Sequence, residues 1–146
     1  IMDNICLPSY DKIKQGIYIA PKAEKNLAEQ ESNVLKIKMS SLKQLCGQLS
    51  GGNKQKVALA KWLGNDSDIL ILDCPTRGID VGVKAAIYKL MDDYRKEGKS
   101  ILMISEELPE LIGMSDRILI LKDGMISKEF DRSRDLTESE AIKYMI

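Results

Sequence analysis

Two short, wholly apolar runs constrain the fold of this chain most. Ile69-Leu70-Ile71-Leu72 and Ile101-Leu102-Met103-Ile104 contain no polar residue, the pattern of parallel strands buried on both faces. Between them Val83, Ile87, Leu90, Met91 and Tyr94 recur at helical spacing, and Gly98 closes the segment. Strand, crossover helix and second strand make an α/β unit with a right-handed crossover. Arg117–Leu121 and Met125–Phe130 read as two further strands, joined by the turn signal Lys122-Asp123-Gly124. Glu106 to about Gly113 reads as a short helix with Pro109 in its first turn. Thr137-x-x-Glu140 has the spacing that caps a terminal helix.

The first part of the chain has a different character. Pro8, Ser9, Gly16 and Pro21 punctuate a loop with a short extended piece. Pro21 suits the first position of a helix, and Lys22 to about Leu35 is rich in Ala, Glu, Lys and Leu, all good helix formers. Ser41-x-x-Gln44 resembles a capping box and marks a second turn. The expected division is therefore a small helical subdomain over 1–47 and an α/β core portion over 48–146. The chain opens on Ile1, ahead of Met2, so a longer protein is expected upstream.

Composition removes several classes of function. Lys plus Arg and Asp plus Glu both number 22, so no basic excess points to nucleic acid as a partner. No apolar run approaches the roughly 20 residues of a membrane helix. Cys6, Cys46 and Cys74 are scattered, and there is no histidine to complete a zinc site. Cys6 and Cys46 read as small apolar residues. Without histidine the commonest general base is absent, as is any Ser–His or Cys–His pair. Chemistry here would rest on carboxylates, backbone amides or a metal ion.

Two motifs carry that chemistry. Leu49-Ser50-Gly51-Gly52-Asn53 stands at the start of a helix that runs from Asn53 to Leu63 and ends at Gly64. A helix N-terminus presents unpaired N–H groups and partial positive charge, which suit a phosphate. Glycines let the backbone approach the anion, and Ser50 adds a hydroxyl donor. A plain helix cap is the simpler reading of the same residues. Second, the apolar strand at Ile69 ends in Asp73, where an α/β sheet binds its ligands and where a carboxylate can serve Mg2+. Pro75-Thr76-Arg77-Gly78-Ile79-Asp80 follows, and Asp80 is placed to N-cap the next helix.

Together these residues resemble the ATP-binding-cassette (ABC) ATPase family. Leu49–Asn53 is similar to its signature motif, Ile69–Asp73 to its Walker B strand and Pro75–Asp80 to its D-loop. The closest resemblance is to the second ATPase half of bacterial importers for ribose- and galactose-type monosaccharides. There L-S-G-G-N-x-Q-K-V, P-T-R-G-[IV]-D-V-G and E-[LM]-P-E-x-x-G-M-S-D-R-I are typical, standing here as Leu49–Val57, Pro75–Gly82 and Glu107–Ile118. The resemblance implies a partial P-loop NTPase fold, with a mostly parallel sheet flanked by helices, a helical subdomain and a C-terminal β-hairpin. It implies ATP and Mg2+ as cofactors of the full-length protein, with ATP sandwiched between two ATPase halves. Ser50, Gly51, Gly52, Asn53 and Asp80 would then bind nucleotide, Ser50–Gly52 touching the γ-phosphate held by the opposite half. Asp73 would serve the Mg2+ of its own half. The implied partners are the opposite ATPase half, membrane permease subunits and, indirectly, a sugar-binding protein, at the cytoplasmic face of the membrane.

The sequence departs from the pattern at three places. No G-x-x-x-x-G-K-[ST] phosphate loop occurs in it, so the chain alone is expected to be inactive. Cys74 occupies the slot where the family usually has the Glu that polarises the attacking water, and Glu106 falls in the switch-histidine slot. A free thiol, with a reference pKa of about 8.5, is mostly protonated at neutral pH and makes a poor base. The expectation is a site that binds ATP at this Walker B and turns it over slowly, paired with an active site that uses this signature. A non-transport ABC ATPase and a regulatory module derived from an ATPase are the competing readings.

Overall fold

The computed structural model describes residues 1–79, 81–132 and 136–145. Asp80, expected to cap a helix and to bind nucleotide, lies outside them. The chain divides into two compact units, Ile1–Leu70 with Thr76–Leu102, and Ile71–Pro75 with Met103–Ile146. Within the first unit the early helices pack on the helix that begins at Gly51.

The first unit is mainly helical. Helix α1 (Met2–Cys6) is followed by α2 (Tyr10–Ile13) and by a hairpin of β1 (Lys14–Gln15) and β2 (Tyr18–Ile19), turned at Gly16 with φ 65°. Helix α3 (Pro21–Val34) starts at its proline and buries Ala28, Glu31 and Ser32, one stripe at i, i+3 and i+4. It ends where Lys36 turns left-handed and the Ile37 N–H donates to the Ser32 carbonyl at 2.9 Å, a Schellman-type stop. Ser41–Gln44 forms a turn whose glutamine reaches back, accepting from the Ser40 N–H at 2.8 Å. Helix α4 (Gly51–Leu63) packs on both α1 and α3. Helix α5 (Val81–Lys96) buries Ile87, Leu90, Met91 and Tyr94, the stripe expected from the sequence. Trp62, which suits a core position by its size, is instead half exposed, with the Lys61 ammonium 5.3 Å from its ring centre.

Strands β3 (Ile69–Asp73) and β4 (Ser100–Ile104) are hydrogen-bonded neighbours. The Ser100 N–H donates to Asp68 at one end and the Cys74 N–H to Ile104 at the other, each at 2.9 Å, so the two run parallel. The expectation that both strands are buried on both faces needs correction. Leu70 and Leu72 are buried, but Ile69 and Ile71 are 64% and 65% exposed. The alternation follows from the pleat: successive side chains face opposite ways, and no described element covers the second face.

The second unit holds helix α6 (Leu108–Met114) and a hairpin of β5 (Arg117–Lys122) and β6 (Met125–Asp131). The hairpin turns at Asp123 and Gly124, both at positive φ, and carries a register shift at Ile120/Leu121. It closes with α7 (Glu138–Ile142), whose Thr137 cap accepts the Glu140 N–H at 3.3 Å. Ile118, Ile120 and Ala141 form its core, flanked by Leu111, Phe130 and Tyr144. Among the described residues the parallel part of the sheet is two strands wide, and the other two pairs are antiparallel hairpins.

Candidate functional site: a helix N-terminus and a strand end

Ser50 is the N-cap of α4, in extended conformation, and its side chain makes no capping bond to the backbone. Its Oγ instead accepts from the Asn53 Nδ2 at 2.9 Å. The Asn53 Oδ1 in turn accepts the Lys38 N–H at 2.9 Å, so this amide is clamped between two segments and its orientation is set. With its lone pair turned towards Asn53, the Ser50 hydroxyl has its proton available to donate elsewhere. The first backbone N–H of α4 with an acceptor inside the helix belongs to Lys54, bonded to the Ser50 carbonyl at 2.9 Å. The preceding N–H groups of Gly51, Gly52 and Asn53 are the orphan donors of a helix start. A Cβ built on Gly51 would meet nothing within 4 Å, so the approach to these donors is open. Ser50 and Gly51 are exposed and Gly52 partly so. The arrangement can bind an anion.

In the second unit, Asp73 ends β3 with an exposed side chain. Cys74 follows at φ 45°. A left-handed residue other than Gly, Asn or Asp costs about 1–2 kcal/mol, and the proline after it adds its own restriction. The conformation is held by the Cys74 N–H bond to the end of β4 and by Pro75, which is fully buried. Thr76 beside it is 1% exposed, and Gly78 turns at φ 69°. Strain concentrated directly after a strand-end carboxylate is a mark of functional sites. It could not be read from the residue type, since cysteine carries no preference for positive φ.

Glu106 is exposed in the loop after β4. That loop is held by two contacts that the sequence reading missed. The Ser105 hydroxyl donates to the Glu110 carboxylate at 2.6 Å, and its Oγ accepts the Glu107 N–H at 3.1 Å. Glu110 is buried, although it belongs to a residue type rarely found inside without a partner. A Ser five residues ahead of a Glu across a helix start was the available signal. The structure thus gathers Asp73, Cys74 and Glu106 at the same end of the parallel pair, in one unit, while Ser50–Asn53 belong to the other.

Comparison with known proteins fits this geometry. Residues 6–77 match the ABC transporter family profile. The chain is 49% identical over 130 residues to the xylose import ATP-binding protein of Thermoanaerobacter pseudethanolicus, covering 89% of this chain and 26% of that protein. It is 40% identical over 144 residues to the ribose import ATP-binding protein of a Jannaschia species, covering 99% of this chain and 28% of the relative. This chain belongs to the ABC transporter family. It spans about a quarter of the length of these relatives. A dimeric bacterial ABC transporter cassette shares its fold with a TM-score of 0.79 at 24% identity, over 90% of this chain and 56% of that one. The same cassette in a post-hydrolysis state bound to ADP and Pi superposes with a TM-score of 0.80. The partial ABC ATPase fold expected from the motifs is the fold observed.

The residues present fit the cofactors of this family. The open donors at α4 suit a phosphate. Asp73 offers one exposed carboxylate at a strand end. Among the described residues no group of three or more His, Cys, Asp or Glu could hold a metal ion, so Asp73 would supply one ligand. Water and phosphate oxygens would complete the shell, as Mg2+ beside a nucleotide prefers.

Proposed function

We propose that this chain is part of the ATP-binding subunit of a bacterial ABC importer for a monosaccharide. In this reading the start of α4 binds the γ-phosphate of ATP held by an opposite ATPase half, through Ser50 and the N–H groups of Gly51 and Gly52. The observation that carries it is the Lys38–Asn53–Ser50 relay, which leaves the serine proton free for an anion. The import proteins to which the chain is similar support sugar as the cargo. Asp73 serves Mg2+ in its own half, Cys74 leaves that half without a base, and Glu106 leaves it without a switch donor. Turnover therefore takes place at the site that uses this signature. Residues 1–47 act as the helical subdomain that faces the membrane permease subunits, at the cytoplasmic face of the membrane. No helix among the described residues is long and apolar enough to cross a membrane.

The test is ATP turnover of the longest form of the protein that carries this chain, with Ser50→Arg. An arginine there fills the space in front of the orphan donors. Loss of most turnover supports the reading, and undiminished turnover sinks it.

A further inference from the structure

Between α3, α4 and α5 lies a cavity of about 710 Å3, lined entirely by residues of the first unit. This size is typical of small-molecule sites. Leu27, Leu63 and Leu90 contribute apolar wall. Glu31 lines it too and is only 7% exposed. Its carboxylate has no hydrogen bond or ion pair with any described residue.

The neighbouring cations do not supply one. Lys99 is close enough to be felt electrostatically, but its ammonium is paired with Asp66 and with Glu97. Lys89 is paired with Asp93 at 2.5 Å, and the Lys56 ammonium donates to the Lys36 carbonyl at 3.3 Å. Burial accordingly raises the Glu31 pKa above its ordinary 4.5, the Lys99 charge opposing the shift only in part. Gly64 makes room for this carboxylate: a Cβ there would sit 3.2 Å from the Glu31 Cγ and 3.3 Å from the Leu27 Cδ1. A carboxylate drawn largely away from water with no ion pair is costly to keep, and a cavity open beside it is where a partner can enter.

We infer that this cavity binds a small aliphatic primary amine in its ammonium form, the ammonium on the Glu31 carboxylate and the alkyl chain along Leu27, Leu63 and Leu90. A charge-assisted bond to a partly desolvated carboxylate is stronger than a neutral one, and the aliphatic body buries apolar wall. The site is separate from the nucleotide residues, and the inference does not depend on the proposed function.

Calorimetric titration of the 146-residue chain with hexylammonium, hexanol and hexanoate, at a pH of about 8, tests it. An alkylamine, like a lysine side chain, is protonated there. The expected result is one site for hexylammonium, at least tenfold tighter than hexanol, with hexanoate weaker still. Glu31→Gln, which keeps the shape, should remove the preference for the ammonium, whereas Asp93→Asn should leave it. Equal binding of hexanol and hexylammonium, no hexylammonium binding at millimolar concentration, or an unchanged preference in Glu31→Gln overturns the inference. Amide chemical-shift mapping on the unsubstituted chain is independent of how the variants fold. Shifts on α3, α4 and α5 around the cavity support the site, and shifts confined elsewhere refute it.

Discussion

Asn53→Asp separates the stability of the signature helix from its capacity to hold an anion. The substitution is nearly isosteric and keeps an oxygen for the Lys38 N–H, so the 2.9 Å bond between the two segments survives. The donor to Ser50 is lost. A carboxylate oxygen now faces the serine Oγ, and the hydroxyl proton turns inward to it. Two effects of opposite sign follow. A negative charge in the first turn of a helix stabilises it by about 0.3–1 kcal/mol, which offsets the cost of reversing one exposed hydrogen bond, at most about 0.5–1 kcal/mol. Folding stability should stay within about 0.5 kcal/mol of the original. An anion at the same helix start, however, meets a nearby like charge and loses the serine donor. For unit charges about 5 Å apart at effective dielectric constants between 20 and 80, the repulsion alone is about 1–3 kcal/mol, and the lost charge-assisted bond adds about as much. Turnover of the longer protein should fall by tenfold or more. Urea denaturation of the chain reads the first quantity and ATP hydrolysis the second. Unchanged turnover at unchanged stability would refute the anion role of Ser50. A stability loss above about 2 kcal/mol would refute the view of Asn53 as a positioning residue.

Four further outcomes are expected. Ile87 is fully buried in α5, so Ile87→Ala should cost about 2–5 kcal/mol in urea denaturation. In the proposed reading, Cys74→Glu should raise turnover at the nucleotide site served by Asp73 by tenfold or more, within the usual yield of a positioned base, and single-site turnover in the longest form of the protein that carries this chain measures it. The folded-state pKa of Glu31 lies above the unfolded 4.5, so the folded form holds its proton longer and stability falls as pH rises from about 4.5 through the folded value. Glu31→Gln should flatten that slope and be the more stable at neutral pH, which denaturation across the pH range reads. Burial, with Glu24 and Asp3 nearby, pushes the Cys6 thiol to about 11; in the native chain it should resist a thiol-titrating reagent at mildly alkaline pH and react fully in denaturant.

Much of the architecture was legible because local rules and tertiary context agree. Pro21 opens α3 and Thr137 caps α7 as their chemistry directs, and Asp123-Gly124 turns the hairpin. The apolar stripe of α5 is the one that its 3.6-residue period marks. Where local signals are ambiguous, tertiary packing decides. A run such as Ile69–Leu72 looks identical whether one face or two are covered, since coverage depends on which other element packs there. Trp62 shows the same limit, because its exposure is decided by the helix face that α4 turns towards its neighbours.

Of the candidate site, the sequence by itself determined the chemical groups and their places: a Ser-Gly-Gly at a helix start, a carboxylate followed by a thiol at one strand end, and a carboxylate just after the next strand. Those follow from residue type and from periodicities that any local stretch of chain must obey. Only the tertiary structure decided how the groups are held. The clamp of Asn53 between Lys38 and Ser50 joins residues 15 apart, and the left-handed Cys74 is kept by a bond to a strand 30 residues on. The burial of Glu31 beside a cavity depends on three helices meeting around a glycine with no side chain. Such features arise from contacts between distant segments, where conformational strain and desolvation are repaid by packing that no local window of sequence contains.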